Sequence, residues 1–293
     1  MTDATPHRRD LLALTLLAAT GVLPATAGAA AVAADHFAPP GGDAEARRIW
    51  ARLNADLSGR TVFFHTHGAV WGFKPQADDL PLADFARRHY GYTSLIARKA
   101  LKGADGAIVI RQKSWVFYRD PETDEITDQV PNPYTGAIDH AAPMSGPVGE
   151  RSLAPGAPSP GTPAYPVETS TPRVAYDMRI RRIGGRAWVT TSSFTRLKPG
   201  GIGWWKLEGE LGSFACRAAD LDNPKLTHLP STWSQNLVAE WQTWTGMHGQ
   251  PGHILFKGDG AALAGPEEIP TDLMAAIARF FPGTFAPVVA WDR

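Results

Sequence analysis

Twenty-nine basic and 29 acidic side chains cancel over 293 residues, so the chain has no positive surplus with which to neutralise phosphates, and nucleic acid is set aside as its main partner. With 43% hydrophobic residues it can build a sizeable core, and a small molecule is the expected partner. The single cysteine, Cys216, excludes an intrachain disulfide and a thiolate-based zinc or iron–sulfur centre; in "GSFACRAAD" it reads as a small buried strand residue, with a catalytic thiol as the alternative.

The N-terminal "HRRDLLALTLLAATGVLPATAGAAAVAAD" joins twin arginines, Arg8 and Arg9, to a leucine- and alanine-rich run and then small residues, the pattern of a Tat export signal over residues 1–34. Cleavage fits after Ala29 or Ala33, leaving a mature protein that begins near Asp35. Retention as an anchor is the alternative, but Leu11 to Leu23 is shorter than the roughly 20 apolar residues that a spanning helix needs. The expectation is a periplasmic protein that meets the Tat translocon during export, keeps no stable membrane anchor and needs no cofactor; a homodimer is compatible with it.

In "GGDAEARRIWARLNADLSGR", Ile49, Leu53 and Leu57 recur at helical spacing, with Asp43 as N-cap and Gly59 as stop. From Thr61 the period becomes two, which predicts strands at Thr61 to Phe73, Tyr92 to Leu101, Ala107 to Tyr118, Glu125 to Val130, Arg173 to Ile183, Arg186 to Phe194, Gly203 to Arg217 and Gly252 to Lys257. Gly184-Gly185 and Asp120-Pro121 supply hairpin turns, hence an antiparallel meander. A second short helix is predicted from Thr271 to Phe281, between Pro270 and Pro282. The fold expected over residues 35–293 is a single, mainly β domain: an antiparallel β-barrel or strongly curved sheet with a short helix near each end. The proline-rich stretch at 141–172 is expected to be a long loop, either a surface excursion or a lid.

Four constellations could carry chemistry. In "VFFHTHGAVWG", alternation puts Phe63, His65, His67, Ala69, Trp71 and Phe73 on one face, so both histidines point the same way among aromatics. That suits a metal grip, a pocket donor–acceptor pair or a plain structural pair. The candidates for further metal ligands are Asp139 with His140, Glu208 with Glu210, and His248 with His253; none forms a recognised metal motif. In "AIVIRQKSWVFYRD", Arg111, Lys113, Trp115 and Phe117 share one face, which is either a cation-and-indole surface or a solvent face, and Tyr118 lies on the other. "VPNPYTGAIDH" is a proline-fixed turn carrying Asn132, Tyr134, Asp139 and His140. The fourth is rich in indoles, Trp204, Trp205, Trp233, Trp241 and Trp244, with Glu208 and Glu210 nearby: core, or the wall of a cavity with acid–base capacity.

"DPETDEITDQVPNPYTG", "NPYTGAIDH" and the downstream "FKGDGAALAGPEEIPTDL" resemble the uncharacterised bacterial family of domains of unknown function DUF1838, whose members often carry Tat signals. The resemblance would cover most of the mature chain. It implies no established reaction and assigns no catalytic residue, and "FFHTHGAVWG" departs from the tyrosine or tryptophan that the family shows in its first strand.

No dinucleotide loop, phosphate loop or nucleophile elbow appears in the sequence, which leaves acid–base chemistry. The first hypothesis is therefore a cofactor-independent lyase or isomerase acting on an aromatic or phenolic small molecule. His65 or His67 is its base, Tyr118 or Tyr134 its acid, and Lys113 or Arg111 steadies an oxyanion. Phe63, Trp71, Trp115, Asn132, His140, Trp204, Glu208 and Trp241 line its pocket. The second hypothesis is a periplasmic carrier of an apolar ligand, and the third a metalloenzyme built on His65 and His67.

Overall fold

The computed structural model describes residues 43–75, 86–103, 106–153, 173–197 and 206–292; the expected export signal, residues 154–172 of the long loop, and Trp204 lie outside them. Helix α1 (Asp43–Asn54) leads into three long strands, β1 (Val62–Phe73), β2 (Ala86–Lys102) and β3 (Ile108–Arg119). Short strands follow: β4 (Ile126–Thr127), β5 (Gln129–Pro131), β6 (Ile138–His140), β7 (Met144–Ser145) and β8 (Gly149–Ser152). A second group of long strands comprises β9 (Arg173–Ile183), β10 (Arg186–Leu197), β11 (Lys206–Arg217), β12 (Thr232–Ala239) and β13 (His253–Leu263), with the one-turn helix α2 (Ala218–Asp222) after β11. Helices α3 (Thr271–Phe280) and α4 (Ala286–Val289) close the chain.

Eleven strands form one sheet in the order β4-β3-β2-β1-β13-β12-β11-β10-β9, with β7 and β8 also on β3. All its pairings are antiparallel. Two meanders, β1 to β3 and β9 to β13, are joined where β1 pairs with β13. The expectation of a mainly β, antiparallel fold holds, but no closed barrel forms: among the described residues β9 has no pairing with β3 or its short edge strands. Helix α1 stands between these two ends instead. Ile49 and Leu53 pack with Met178, Ile180, Val189, Phe214 and Cys216 of β9 to β11, while Ala51 and Ala55 pack with Ala100, Ile110 and Leu153. Buried Arg52 fixes its position by donating to the carbonyls of Leu221 (3.1 Å), Asp220 (2.9 Å) and Asn223 (2.7 Å).

The other face of the sheet carries α3 and α4. Leu273, Ala276 and Ile277 of α3 and Val288 of α4 cover Phe63, Leu95, Ala97, Trp115 and Phe117; full burial of Leu273 and Ile277 stabilises by about 1.5–3 kcal/mol each. Each long strand therefore has an α1 face and an α3 face, and alternation assigns every side chain to one of them.

Three local differences from the sequence reading have physical causes. Strand β2 begins at Ala86 rather than Tyr92, because its charged first residues pair with the far end of β1 across a β-bulge at Val70/Trp71. Strand β13 runs on to Leu263 through Gly258 and Gly260, since β1 and β12 pair with it on both sides. The expected long loop begins with two short edge strands, β7 and β8, hydrogen-bonded to β3.

Candidate functional site

The α1 face has a glycine-paved centre. Across neighbouring strands, register aligns Tyr118, Tyr92, Gly68, Gly258, Gln235, Gly212 and Thr191 in one transverse row. The adjacent row runs Val116, Ser94, Thr66, Gly260, Trp233 and Phe214. The glycines make room for rings to lie against the sheet. A Cβ on Gly258 would stand 2.2 Å from the Tyr92 hydroxyl, and one on Gly260 would stand 2.2 Å from the Trp233 Nε1. Tyr92 also meets the edge of Phe256, with centroids 5.3 Å apart at 81°.

Around this floor are buried polar and charged groups. Among the described residues the Tyr92 hydroxyl, Thr66 Oγ1 and Trp233 Nε1 are buried with no hydrogen-bond partner; an unmade bond of this kind costs about 1–3 kcal/mol. Burial, helped by the negative charges of Asp259 and Glu210, pushes the Tyr92 phenol well above its ordinary value, so it stays protonated. Gln235 Nε2 donates to Glu210 Oε1 at 3.0 Å. Arg98 donates from Nε to Gln112 Oε1 (2.8 Å) and from Nη1 to Asn54 Oδ1, and lies over the Phe64 ring at 5.3 Å. Burial draws Arg98 down to about 10, against the pull of Glu210, and Arg151 lowers it further. These charges come from β2, β8 and β11, so one space serves both meanders.

Tyr118, one of the sequence candidates, belongs to the aromatic end of the same face. It stands 5.3 Å from Tyr90 and 4.8 Å from Trp244, and burial pushes it up to about 12, opposed by the Trp244 indole. Behind it the proline-fixed turn is locked in place. Asn132 Oδ1 accepts from the backbone N–H of Tyr134 (2.9 Å) and Thr135 (3.2 Å), Asn132 Nδ2 donates to Asp139 Oδ2 (2.8 Å), and Gly246 N donates to Asp139 Oδ1 (2.9 Å). The Tyr134 hydroxyl donates to the Gly72 carbonyl at 2.5 Å, and its ring meets Trp241 edge-on at 5.5 Å. Asn132, Tyr134 and Trp241 are thus together, whereas His140 is exposed on the β5–β6 hairpin. Fully buried His89 sits here too, with Nε2 3.4 Å from Asp139 Oδ2; burial holds it below its ordinary value in spite of that carboxylate. His89 is the extra residue at the β1–β2 bulge, and a bulge re-aims the side chain it inserts.

The remaining candidates lie on the α3 face, the opposite side of the sheet from the glycine floor. His65 and His67 do point the same way. Since the Thr93 hydroxyl donates to the Thr66 carbonyl (3.1 Å), it must accept from His65 Nε2–H (3.0 Å), which fixes the neutral tautomer. Burial, and then the charges of His67 and Arg119, hold His65 below its ordinary value against Asp272. Exposed His67 stands 3.3 Å from Asp124 Oδ1, and Arg119 ties that hairpin to α3 through the Asp124 carbonyl and Asp272 Oδ2, both at 2.6 Å. Lys113 donates to Ser145 Oγ (2.7 Å) and the Gly146 carbonyl (2.6 Å). Trp115 Nε1 donates to Thr284 Oγ1 (3.0 Å), Arg111 pairs with Glu150 (2.7 Å), and Phe63 packs on Phe285 at 5.9 Å. Trp71 is half-buried on this face.

The structure therefore divides the five expected catalytic groups: His65, His67 and Lys113 on one face, Tyr118 on the other, and Tyr134 in the turn. Glu208 belongs to β11, opposite Ala239, but its side chain, like Trp204, lies outside the described residues. Among the described residues no group of three His, Cys, Asp or Glu side chains is placed to hold a metal ion, and no helix is long and apolar enough to cross a membrane. Cys216 is buried under α1, and burial pushes its thiol up. Sequence reading missed Tyr92, Arg98, Arg151 and His89; the alternation of "HYGYTSLIAR" held a signal for the first two, with Tyr92 and Arg98 on one strand face. In comparisons with family models, curated proteins and solved structures, nothing matches this chain.

Proposed function

We propose that the protein is an exported, cofactor-independent acid–base enzyme of the lyase or isomerase type, which takes an aromatic or phenolic small molecule into a hollow on the α1 face. The observation that carries this reading is the set of buried donors without partners among the described residues, Tyr92, Thr66 and Trp233, around a glycine floor. Their desolvation is compensated when a polar group of a ligand meets them.

A strongly curved sheet goes with this reading. Strands β2 and β11 are four steps apart, about 19 Å in a flat sheet, yet Glu210 acts on Arg98 and Tyr92, and the 12 residues of α1 reach both ends. Paired glycines and the bulge in β2 are devices that bend sheets. In the resulting hollow Glu210 is the proton acceptor and Tyr92 the proton donor, with Trp233 and Phe256 against the ring. Such titratable groups on one wall favour chemistry over simple carriage of an apolar ligand. Carriage remains the second reading, on the strength of the aromatic end formed by Tyr90, Tyr118 and Trp244.

Export through the Tat route and kinship with DUF1838 belong to the same proposal and rest on the N-terminal and turn motifs of the sequence. The test is a panel of lignin-type phenols, sugars and lipids screened by thermal shift, with product analysis for each binder. Phenols that bind and are converted, with conversion lost in Glu210→Gln, support the enzyme; binding without conversion makes it a carrier; no binding by any aromatic compound overturns the pocket.

A further inference from the structure

Two pieces of chain cover the aromatic end of the α1 face, and neither is a strand of the large sheet. The first is the β5–β6 hairpin, a separate two-stranded sheet. The second is the segment 240–252 between β12 and β13, whose turn bonds run from Thr245 to Gln242, from His248 to Thr245 and from Gln250 to Met247, and so close within it. Val130 and Tyr134 of the hairpin and Trp241, Trp244 and Met247 of the segment pack in one cluster with fully buried Tyr90. Asp139 clasps the two pieces together: Oδ2 accepts from Asn132 Nδ2 within the hairpin (2.8 Å), and Oδ1 from the Gly246 N–H of the segment (2.9 Å).

Fully buried His89 lies under this clasp, its ring 6.3 Å from both Tyr134 and Trp241, so both pieces must stay in place to keep water from it. Nε2 is 3.4 Å from Asp139 Oδ2, yet among the described residues neither ring nitrogen makes a hydrogen bond. An imidazolium there would bring two N–H donors into a dry site with one imperfect partner. The groups that face the ring are Tyr90 on its own strand, Tyr134 from the hairpin and Trp241 from the segment, with Asp139 as the charged group that acts on it. Burial keeps both phenols protonated, and Arg87 is turned to the Pro133 carbonyl and the Tyr134 ring. Burial of the imidazole outweighs the attraction of Asp139, so His89 holds a proton more tightly once it is hydrated.

We propose that the β5–β6 hairpin and the 240–252 segment form an acid-opened cover, with Asp139 as its latch and His89 as its proton sensor. Protonation favours the form in which the two pieces part and water reaches the imidazole. The large sheet keeps its own ladder bonds when they leave, so the cover is a unit that opens below the cost of global unfolding. Opening uncovers Tyr90, Tyr134 and Trp241, and it stands whether or not the hollow holds a ligand. The closed form is fully favoured above the ordinary imidazole value of 6.5 and loses ground as the pH falls below it.

Amide hydrogen exchange of the purified protein at about pH 7.5 and 5.5, read by mass spectrometry and corrected for intrinsic rates, tests the cover. Peptides from 129–141 and 240–252 are expected to exchange faster than those of β10 and β11 at both pH values. At the lower pH they should lose up to about tenfold in protection, the ratio set by one group that titrates near 6.5 when hydrated and stays neutral when covered. In His89→Gln, which puts a neutral side chain under the latch, protection is expected to be equal at the two pH values. Constant protection in the parent protein, exchange of the two pieces in step with β10 and β11, or a loss that survives in His89→Gln overturns the cover. Should His89→Gln fail to fold, the imidazole resonances of the parent protein decide: titration of His89 below 6.5 alongside the loss of protection upholds the sensor, and titration at 6.5 or above overturns it.

Discussion

Tyr92→Phe removes a single oxygen and separates stability from binding. The hydroxyl is buried without a hydrogen-bond partner among the described residues and lies over Gly258. In the unfolded chain it is hydrated, so its burial opposes folding by about 1–3 kcal/mol. Deleting it leaves a gap of about 15 Å³, which costs about 0.4 kcal/mol at the cavity coefficient, and keeps the ring's contact with Phe256. The ligand-free variant is expected to be more stable than the parent by about 1 kcal/mol, a rise of about 2–4 °C in Tm. It should bind phenols about tenfold more weakly, since the same hydroxyl is then absent from the complex. Urea melts read the first quantity and calorimetric titration the second. A variant destabilised by 1 kcal/mol or more would show that the hydroxyl makes a good hydrogen bond in the ligand-free protein, and the argument for an unmet donor would fail.

Gly68→Ala should be among the most damaging single-methyl additions in the chain. Its Cβ would stand 2.2 Å from the Lys257 carbonyl oxygen and 2.6 Å from the Gly258 Cα, both backbone atoms of the paired strand, so β1 and β13 must part; a loss of about 3 kcal/mol or more in a denaturant melt is expected. Asp139→Ala strands the Asn132 amide and the Gly246 N–H, with an expected loss of about 3 kcal/mol and faster proteolysis within residues 131–137. Stability should also fall as pH drops from 7.5 to 5. His65 and His89 are both held below their ordinary value of 6.5 in the folded protein, so the unfolded chain takes up their protons first. Their contribution is complete above the unfolded pKa and is lost on acidification, at up to about 1.4 kcal/mol per pH unit for each group. Melts at pH 7.5, 6 and 5 measure the slope, and His89→Gln should flatten it; a flat profile in the parent protein would contradict the burial argument.

Alternation along the strands was legible in the sequence, and with it the antiparallel meander and the two flanking helices. What alternation cannot supply is which face meets which helix. It put His65 and His67 together correctly, but only the packing of α1 against Ala100, Val189 and Phe214 and of α3 against Phe63 and Trp115 shows that they lie away from the glycine floor. Strand β12, "TWSQNLVA", escaped because neither of its faces is apolar: Trp233, Gln235 and Leu237 share the α1 face, and Thr232, Ser234 and Asn236 share the other. Strand β13 was cut short at Lys257 because glycine ordinarily weakens a strand. Here Gly258 and Gly260 alternate at period two, which leaves one face bare for Tyr92 and Trp233. His89 was hidden by the bulge, since an inserted residue breaks the parity on which such a reading depends.

The polar groups on the two faces of β1, around "HTH", are met differently. On the α3 face the polar groups of these strands have partners: His65 with Thr93, His67 with Asp124, Lys113 with Ser145, Trp115 with Thr284 and Arg119 with Asp272, although Arg119 Nε is left over. On the α1 face, among the described residues, the hydroxyls of Tyr92 and of Thr66, which stands between the two histidines, have no partner, nor does the neighbouring Trp233 Nε1. Slack packing of β1 would loosen both faces of the same residues alike, and on the proposed reading the asymmetry comes from a ligand met by the α1 face. The double variant His65→Gln, His67→Gln should therefore keep phenol affinity within about twofold and lose less than about 1 kcal/mol of stability, because His67 is exposed and Gln at 65 can still donate to Thr93. Thr66→Val, by contrast, should leave stability equal or higher and weaken binding. If the histidine pair proved to control affinity while Thr66→Val did not, the pocket would have to be moved to the α3 face.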